Sequence, residues 1–405
     1  MLVGICLLFF LLVVRLFSLQ IIHGSEYQES TSATTLKTLE VPAARGNIYD
    51  RYGRPLAVNR VAYSVQIDNS ITLDLSTQRS DLILSLCEDL FAQGCTLTDE
   101  LPISADGQSF VFEGTEREQR KALSAWQEEI GLLKEYTDST PSEILSYLYS
   151  QYNIPDSLSE AQKRAVLWWN LDLSDQNIMV LTLAEKLAEY GETTQDELPI
   201  DTEAPYDFTY QGNTAKEESF KASMEMEEED VATATGAETL EYLRDYFGLP
   251  AGLPAPLLRS AVGIRYSLFQ ERYYQYKSVV IATDISEKTL AYVEENQDIF
   301  PCVIISTSYL REYPEGEYFS HILGYIRQMT EDDYANYKDD VDENGDPIYT
   351  STDIVGQDGL EKLYERELKG IDGEMSVEVD SSSRRIGTIQ STDPVPGNDI
   401  FLTLD

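Results

Sequence analysis

Residues 2–14 are continuously apolar, Arg15 breaks the run, and residues 16–22 resume it. As a helix, residues 2–22 would rise about 30 Å, enough to cross the hydrocarbon of a bilayer. Arg15 would snorkel to the outer interface or face a partner helix. A cleaved signal peptide or a buried core helix would share this pattern, but no small-x-small cleavage site comes after it and Leu19-Gln20-Ile21-Ile22 continues the helix. We therefore expect an uncleaved anchor over 1–24. Only Met1 precedes the run, too little for the positive-inside rule to act on, so the native start is expected upstream.

The chain beyond the anchor is strongly acidic. All 405 residues together carry 30 Lys and Arg against 71 Asp and Glu, a formal net charge of −41. Phosphate backbones need cationic contacts, so nucleic acid is excluded as a partner. The length allows two or three domains. Cys6, Cys87, Cys95, Cys302, His23 and His321 show no zinc-ligand spacing, and no cofactor is expected. Cys87 and Cys95 would form either a small disulfide loop or two unrelated buried thiols. The arrangement implied is a single-pass protein of the cell membrane, with a cytoplasmic N-terminus and an extracytoplasmic bulk.

Beyond a Ser/Thr-rich stretch, Asn47 to Asp50 reads as a short strand, Tyr52-Gly53 as a turn, and Pro55 as the start of a return strand. Tyr63, Val65 and Ile67 alternate with Ser64, Gln66 and Asp68 as a half-buried strand. In this hairpin Arg45, Gly46, Asp50, Arg51 and Gly53 stand out, the charged ones as orienting ion pairs. Further along, residues 278–283 and 303–307 read as strands separated by a helix, with Asp284 and Glu287 as its capping box and Leu290 and Val293 on its core face. Tyr313-Pro314-Glu315-Gly316 carries type I turn chemistry. His321 stands alone after it, without a nucleophile or carboxylate in its motif, and reads as a structural hydrogen-bonder. Leu360, Leu363, Tyr364 and Leu368 share one helical face, Glu365 can pair with Lys369, and Gly370 supplies the C-terminal cap. Residues 340–346 match the first half of a calcium loop, but the twelfth position is Ser351, so an acidic turn is expected.

The middle, 71–264, is helical in pattern. Residues 201–230 are polar and acidic and read as a solvated or disordered linker. Its two sides resemble each other at an offset of 95 residues: Glu143, Leu145, Tyr147, Leu148, Pro155, Leu158 and Arg164 align with Glu238, Leu240, Tyr242, Leu243, Pro250, Leu253 and Arg259. A duplicated helix and turn would explain this, as would chance likeness of amphipathic helices.

Three motifs in order carry a resemblance. Arg45-Gly46-x-Ile-x-Asp50-Arg51-x-Gly53-x-x-Leu-Ala comes after the apolar run, Arg311-x-Tyr313-Pro314-x-Gly316 precedes His321-x-x-Gly324-Tyr325, and Gly356-x-x-Gly359-x-Glu361 precedes Tyr364, Gly370 and Gly373. This set resembles the pedestal, or dimerisation, domain of class B penicillin-binding proteins, and the long helical middle suits the elongation (rod) branch. The resemblance implies an α+β pedestal over 25–70 and 265–397, with 71–264 projecting as a largely separate helical lobe. The terminal strand, 398–405, would begin a transpeptidase domain absent from the chain and sit far from residues 2–22. No Ser stands three residues before a Lys and there is no Lys-Thr-Gly, so no catalytic residue is assigned. The resemblance further implies the non-catalytic part of a peptidoglycan-crosslinking D,D-transpeptidase that contacts a SEDS-class glycan polymerase and other cell-wall proteins, with a homodimer also open. The alternative is a non-enzymatic membrane-anchored scaffold or sensor of the cell-wall machinery.

Overall fold

The computed structural model describes residues 36–210, 212–341, 345, 347–350, 353–379 and 385–403. The apolar run, Cys6, His23, most of the acidic loop 342–346, Ser351 and the last two residues lie outside them. Among the described residues no helix is long and apolar enough to cross a membrane.

The strands begin with β1 (Leu36–Val41) and β2 (Ile48–Tyr49), but the spine is β3 (Pro55–Asp68), whose length lets it serve three neighbours. Pro55 opens it, where a missing N–H disrupts little. Its start pairs antiparallel with β2, Val58 to Ile67 pairs with β5 (Val303–Glu312), and Ser64 to Asp68 pairs on the other edge with β4 (Ser278–Thr283). Ser64 and Asp68 are buried too, rather than facing solvent as strict alternation predicts. The Asp68 carboxylate is satisfied there by Ser70 and by Arg385. A second sheet orders β1, β8 (Gly373–Val379) and β9 (Arg385–Thr392), all antiparallel, and β6 (Ile326–Gln328) pairs with β7 (Ile354–Gly356). Finally β10 (Ile400–Phe401) lies parallel to β2. The terminal strand thus extends the hairpin's own sheet.

Between β3 and β4 the chain forms α1 (Arg79–Ala92), α2 (Glu116–Glu129), α3 (Pro141–Gln151), α4 (Glu160–Asp172), α5 (Asp175–Glu189), α6 (Thr214–Ser223), α7 (Glu228–Thr233), α8 (Gly236–Tyr246) and α9 (Ala255–Gln270). The halves match element by element. Helices α3 and α8 open with the same capping box, Thr140 with Glu143 and Thr235 with Glu238, and Leu148 and Leu243 are both fully buried. The match reaches further back than the offset of 95 reveals. Asp99-Glu100-Leu101-Pro102-Ile103 recurs unchanged as Asp196-Glu197-Leu198-Pro199-Ile200, at an offset of 97. Each copy clamps an arginine of the later helix: Arg164 binds Asp99 at 2.6 Å and the Ile103 carbonyl at 2.7 Å, while Arg259 binds Asp196 at 2.9 Å and the Ile200 carbonyl at 2.7 Å.

Two expectations need correction. Residues 201–230 do not form a disordered linker. They hold α6 and lead into α7, because Phe220, Met224 and Met226 supply enough apolar surface to bury the segment while its carboxylates face out. Nor is the helical lobe separate. Val65, Ile67, Ile281 and Val303 of the sheet belong to the same buried cluster as Ile83, Leu148, Trp169, Ile178 and Leu243. Cys87, Cys95 and Cys302 are free thiols.

After β4, α10 (Glu287–Glu295) leads to β5. Its cap is Ser286, whose Oγ accepts from the Thr289 N–H at 3.4 Å, and not Asp284. Asp284 adopts φ +57° and turns to Arg60 at 2.6 Å. The remaining helices are α11 (Gly316–Leu323), α12 (Glu331–Tyr337), α13 (Gly359–Leu363) and α14 (Glu365–Leu368).

Candidate functional site

The three motifs meet on a second, smaller core of Ile48, Leu56, Ala57, Leu323 and Leu368. Arg45 comes from the segment between β1 and β2, Arg311 from the end of β5, and Glu361 and Glu365 from α13 and α14. Glu361 is fully buried. Its carboxylate accepts from Arg45 Nε at 2.7 Å, from Arg311 Nε at 2.8 Å and from the Tyr313 hydroxyl at 3.3 Å. Glu365, also buried, accepts from Arg45 Nη2 at 2.7 Å and from the Gly356 N–H at 2.7 Å. Arg311 Nη1 donates in turn to the Gly46 carbonyl at 2.8 Å. Two cations and two anions cancel formally, which is what permits their burial.

The field of this node shows in its neighbours. Burial works against the Arg45 charge, but Glu365 and Glu361 more than compensate and raise its pKa. Burial, with the Glu361 carboxylate second, pushes the Tyr313 phenol well above its usual range. Each carboxylate is occupied by several donors. The node can therefore hold backbone in place but presents no free base and no nucleophile–base pair.

Glycines let backbone reach this core. A Cβ on Gly46 would stand 2.0 Å from the Asn398 carbonyl oxygen, so only glycine allows the hairpin and the segment before β10 to touch. Gly324 takes φ +79°, where a side chain is strained, and a Cβ would lie 1.9 Å from the Asp358 oxygen. Gly356, Gly359 and Gly373 also sit at close backbone approaches. Gly370 does likewise, against Val395, and is not a left-handed helix cap.

The other motif residues lie outside this node. Asp50 pairs with Arg54 and not with Arg45. Burial opposes its charge, but the N–H groups of Arg54 and Tyr52 and the Arg54 side chain hold its carboxyl below the usual range. Arg51 lies 6.0 Å from the Tyr52 ring, and Gly53 takes φ +79° in the turn. The Gly316 N–H donates to the Tyr313 carbonyl at 3.0 Å across Pro314, closing a turn. His321 is exposed at the last turn of α11, and Tyr325 is exposed with its carbonyl bound to Gln357. The single helix expected over 360–368 is broken at Tyr364, which leaves Leu363 70% exposed. Glu365 faces Arg45, and Lys369 instead pairs with Asp353 and, at 3.2 Å, with Asp372. Glu40 joins those two aspartates in a group whose oxygens lie within 4.8 Å of one another, the type of donor set a cation could use. The Lys369 ammonium already supplies positive charge there.

The sequence profile of the Penicillin-binding Protein dimerisation domain matches residues 40–402. The chain belongs to this family. Curated relatives of the dimerisation domain include the peptidoglycan D,D-transpeptidase MrdA of Acinetobacter baumannii, 34% identical over 127 residues, which is 31% of this chain and 18% of that protein. The MrdA of Escherichia coli K12 is 31% identical over 134 residues, 33% of this chain and 21% of its own length. These matches span about a fifth of the relatives' own length. Among solved structures, penicillin-binding protein 2B of Streptococcus pneumoniae strain 5204 is similar at 16% identity and a TM-score of 0.36, covering 92% of this chain and 41% of that one.

Glu365 and Asn59 were not singled out from sequence. From sequence Glu365 reads as half of an i,i+4 pair, the default for a Glu four residues before a Lys. Asn59 binds Arg311 and Asn47 through its side chain, and nothing in its local pattern marks it.

Proposed function

We propose that this chain is the non-catalytic N-terminal part of a membrane-anchored peptidoglycan D,D-transpeptidase, which carries a crosslinking domain and contacts a SEDS-class glycan polymerase. The observation that carries the reading is the family match over 40–402, together with a node that ties all three motifs and β10 into one rigid support. Support without chemistry suits the saturated carboxylates of the node. Residues 2–22 serve as the anchor in this reading, with the described residues on the extracytoplasmic side.

The test is co-purification of the full chain from membranes with the SEDS-class polymerase of the same cell. Retention of the polymerase on the tagged chain, and its loss when residues 1–24 are replaced by an unrelated apolar helix, is the expected result. Failure to retain it under mild detergent, with a known membrane complex retained in parallel, refutes the polymerase contact.

A further inference from the structure

The first copy of the duplication holds a neutralised cation. Arg79, at the start of α1, donates to the Asn170 carbonyl and pairs with Asp175 at 2.5 Å. The equivalents in the second copy are Gln176, 97 residues after Arg79, and Arg265, 95 residues after Asn170. There the cation has moved to the later helix. Arg265 bonds Gln176 through Nη1, while its buried Nε has no partner. Among the described residues Arg265 makes no ion pair, although the chain carries a net charge of −41.

Arg265 lines a cleft of about 470 Å³ with Arg272, Tyr246, Phe247, Phe269 and Gln176, and no Asp or Glu lines it. The Arg265 guanidinium lies 5.6 Å from the Phe247 ring centre and that of Arg272 lies 3.8 Å from Phe269. Glu271, adjacent in sequence to Arg272, does not line the cleft, and its Oε2 is buried without a hydrogen-bond partner. Burial with no compensating anion pushes the Arg265 pKa down to about 10, the opposite of Arg45 in the node. A buried guanidinium without a counter-charge is costly, and the cost is relieved when a planar monoanion takes its fork.

We propose that this cleft binds a carboxylate-bearing ligand, with the carboxylate on Arg265 and Arg272 in the role that Asp175 fills for Arg79, and the body of the ligand against Phe247 and Phe269. The proposal rests on the duplication and on the cleft, independently of the transpeptidase reading. Two sources share this chemistry, a small free acid and the C-terminus of a peptide.

The purified full chain is titrated calorimetrically with N-acetylphenylalanine, with its neutral amide N-acetylphenylalaninamide, and with acetate. The acid is expected to bind at least about tenfold more tightly than the amide, the loss of one charge-assisted contact being worth about that factor. Arg265→Gln and Arg272→Gln should each weaken the acid by about tenfold or more and leave any amide binding unchanged. Arg272 is exposed, so its variant reads out even if Arg265→Gln fails to fold. A clear gain of N-acetylphenylalanine over acetate is expected from the ring contacts, and equal affinity for the two overturns the placement of the ligand's body against Phe247 and Phe269. Equal binding of acid and amide, no binding of the acid, or an unchanged affinity in Arg272→Gln overturns the proposal.

Discussion

Glu361→Ala is the sharpest perturbation available to this fold. The carboxylate is fully buried and receives the Nε of two arginines whose side chains are 11% and 2% exposed, plus the Tyr313 hydroxyl. Its removal leaves Arg45 with Glu365 and the backbone carbonyl of residue 361, and Arg311 with the Gly46 carbonyl and Asn59. Deleting one partner of a buried ion pair costs about 3–5 kcal/mol, much of it the uncompensated charge that remains. Glu361→Gln keeps the volume and one acceptor and should cost about 1.5–3 kcal/mol, the range for hydrogen bonds to a charged group. A cycle with Arg311→Met should return a coupling of about 2 kcal/mol, because the second removal takes away the charge stranded by the first. Urea unfolding gives the totals, and hydrogen exchange over 354–368 and 45–59 localises them to the small core. A Glu361→Ala protein within about 0.5 kcal/mol of the parent, the range of ordinary surface changes, would refute the argument that these motifs are joined by a buried node.

Gly46→Ala should cost about 1–3 kcal/mol by forcing the hairpin off Asn398, with faster exchange at Ile400 and Leu402 and unchanged exchange in the helical lobe. The carboxyl of Glu40 has a raised pKa, first from burial and then from Asp353 and Asp372, with Lys369 opposing. Stability from this group is therefore complete below its ordinary value of 4.5 and is lost as pH rises through the folded value. Glu40→Gln should be the more stable protein at pH 7 and match the parent below that value, which thermal melts across pH will check.

The turn chemistry was fully legible because it is local. Pro55, Gly53 and the Tyr313 to Gly316 turn each act on their immediate neighbours, and the structure places each where the sequence suggests. The node was legible only as a set of motif positions. Its residues are separated by up to 320 positions in sequence, and pattern reasoning ties Glu365 to the nearest Lys rather than to a distant Arg. The duplication was half legible for a simpler reason. The two copies differ by two residues between the repeated pentapeptide and helices α3 and α8, so an ungapped comparison at 95 passes over an identical Asp-Glu-Leu-Pro-Ile at 97. The linker reading failed because net charge dominates composition over 201–230, while three apolar side chains decide whether it folds.

The parallel seating of β10 on β2 has a mechanical meaning. The Ile400 N–H donates to Asn47 and the Leu402 N–H to Tyr49, both at 2.8 Å, and the Phe401 ring stacks on Tyr49 with centroids 5.1 Å apart. Inter-strand bonds run across the strand direction, so tension drawn along the chain past Leu402 loads them together in shear instead of unzipping them one after another. Gly46, held at once by the Leu368 carbonyl, by Arg311 and against Asn398, passes that load into the ion-paired core. A pull on this strand is thereby felt as a displacement of the whole support, which is how a strut behaves and a tether does not.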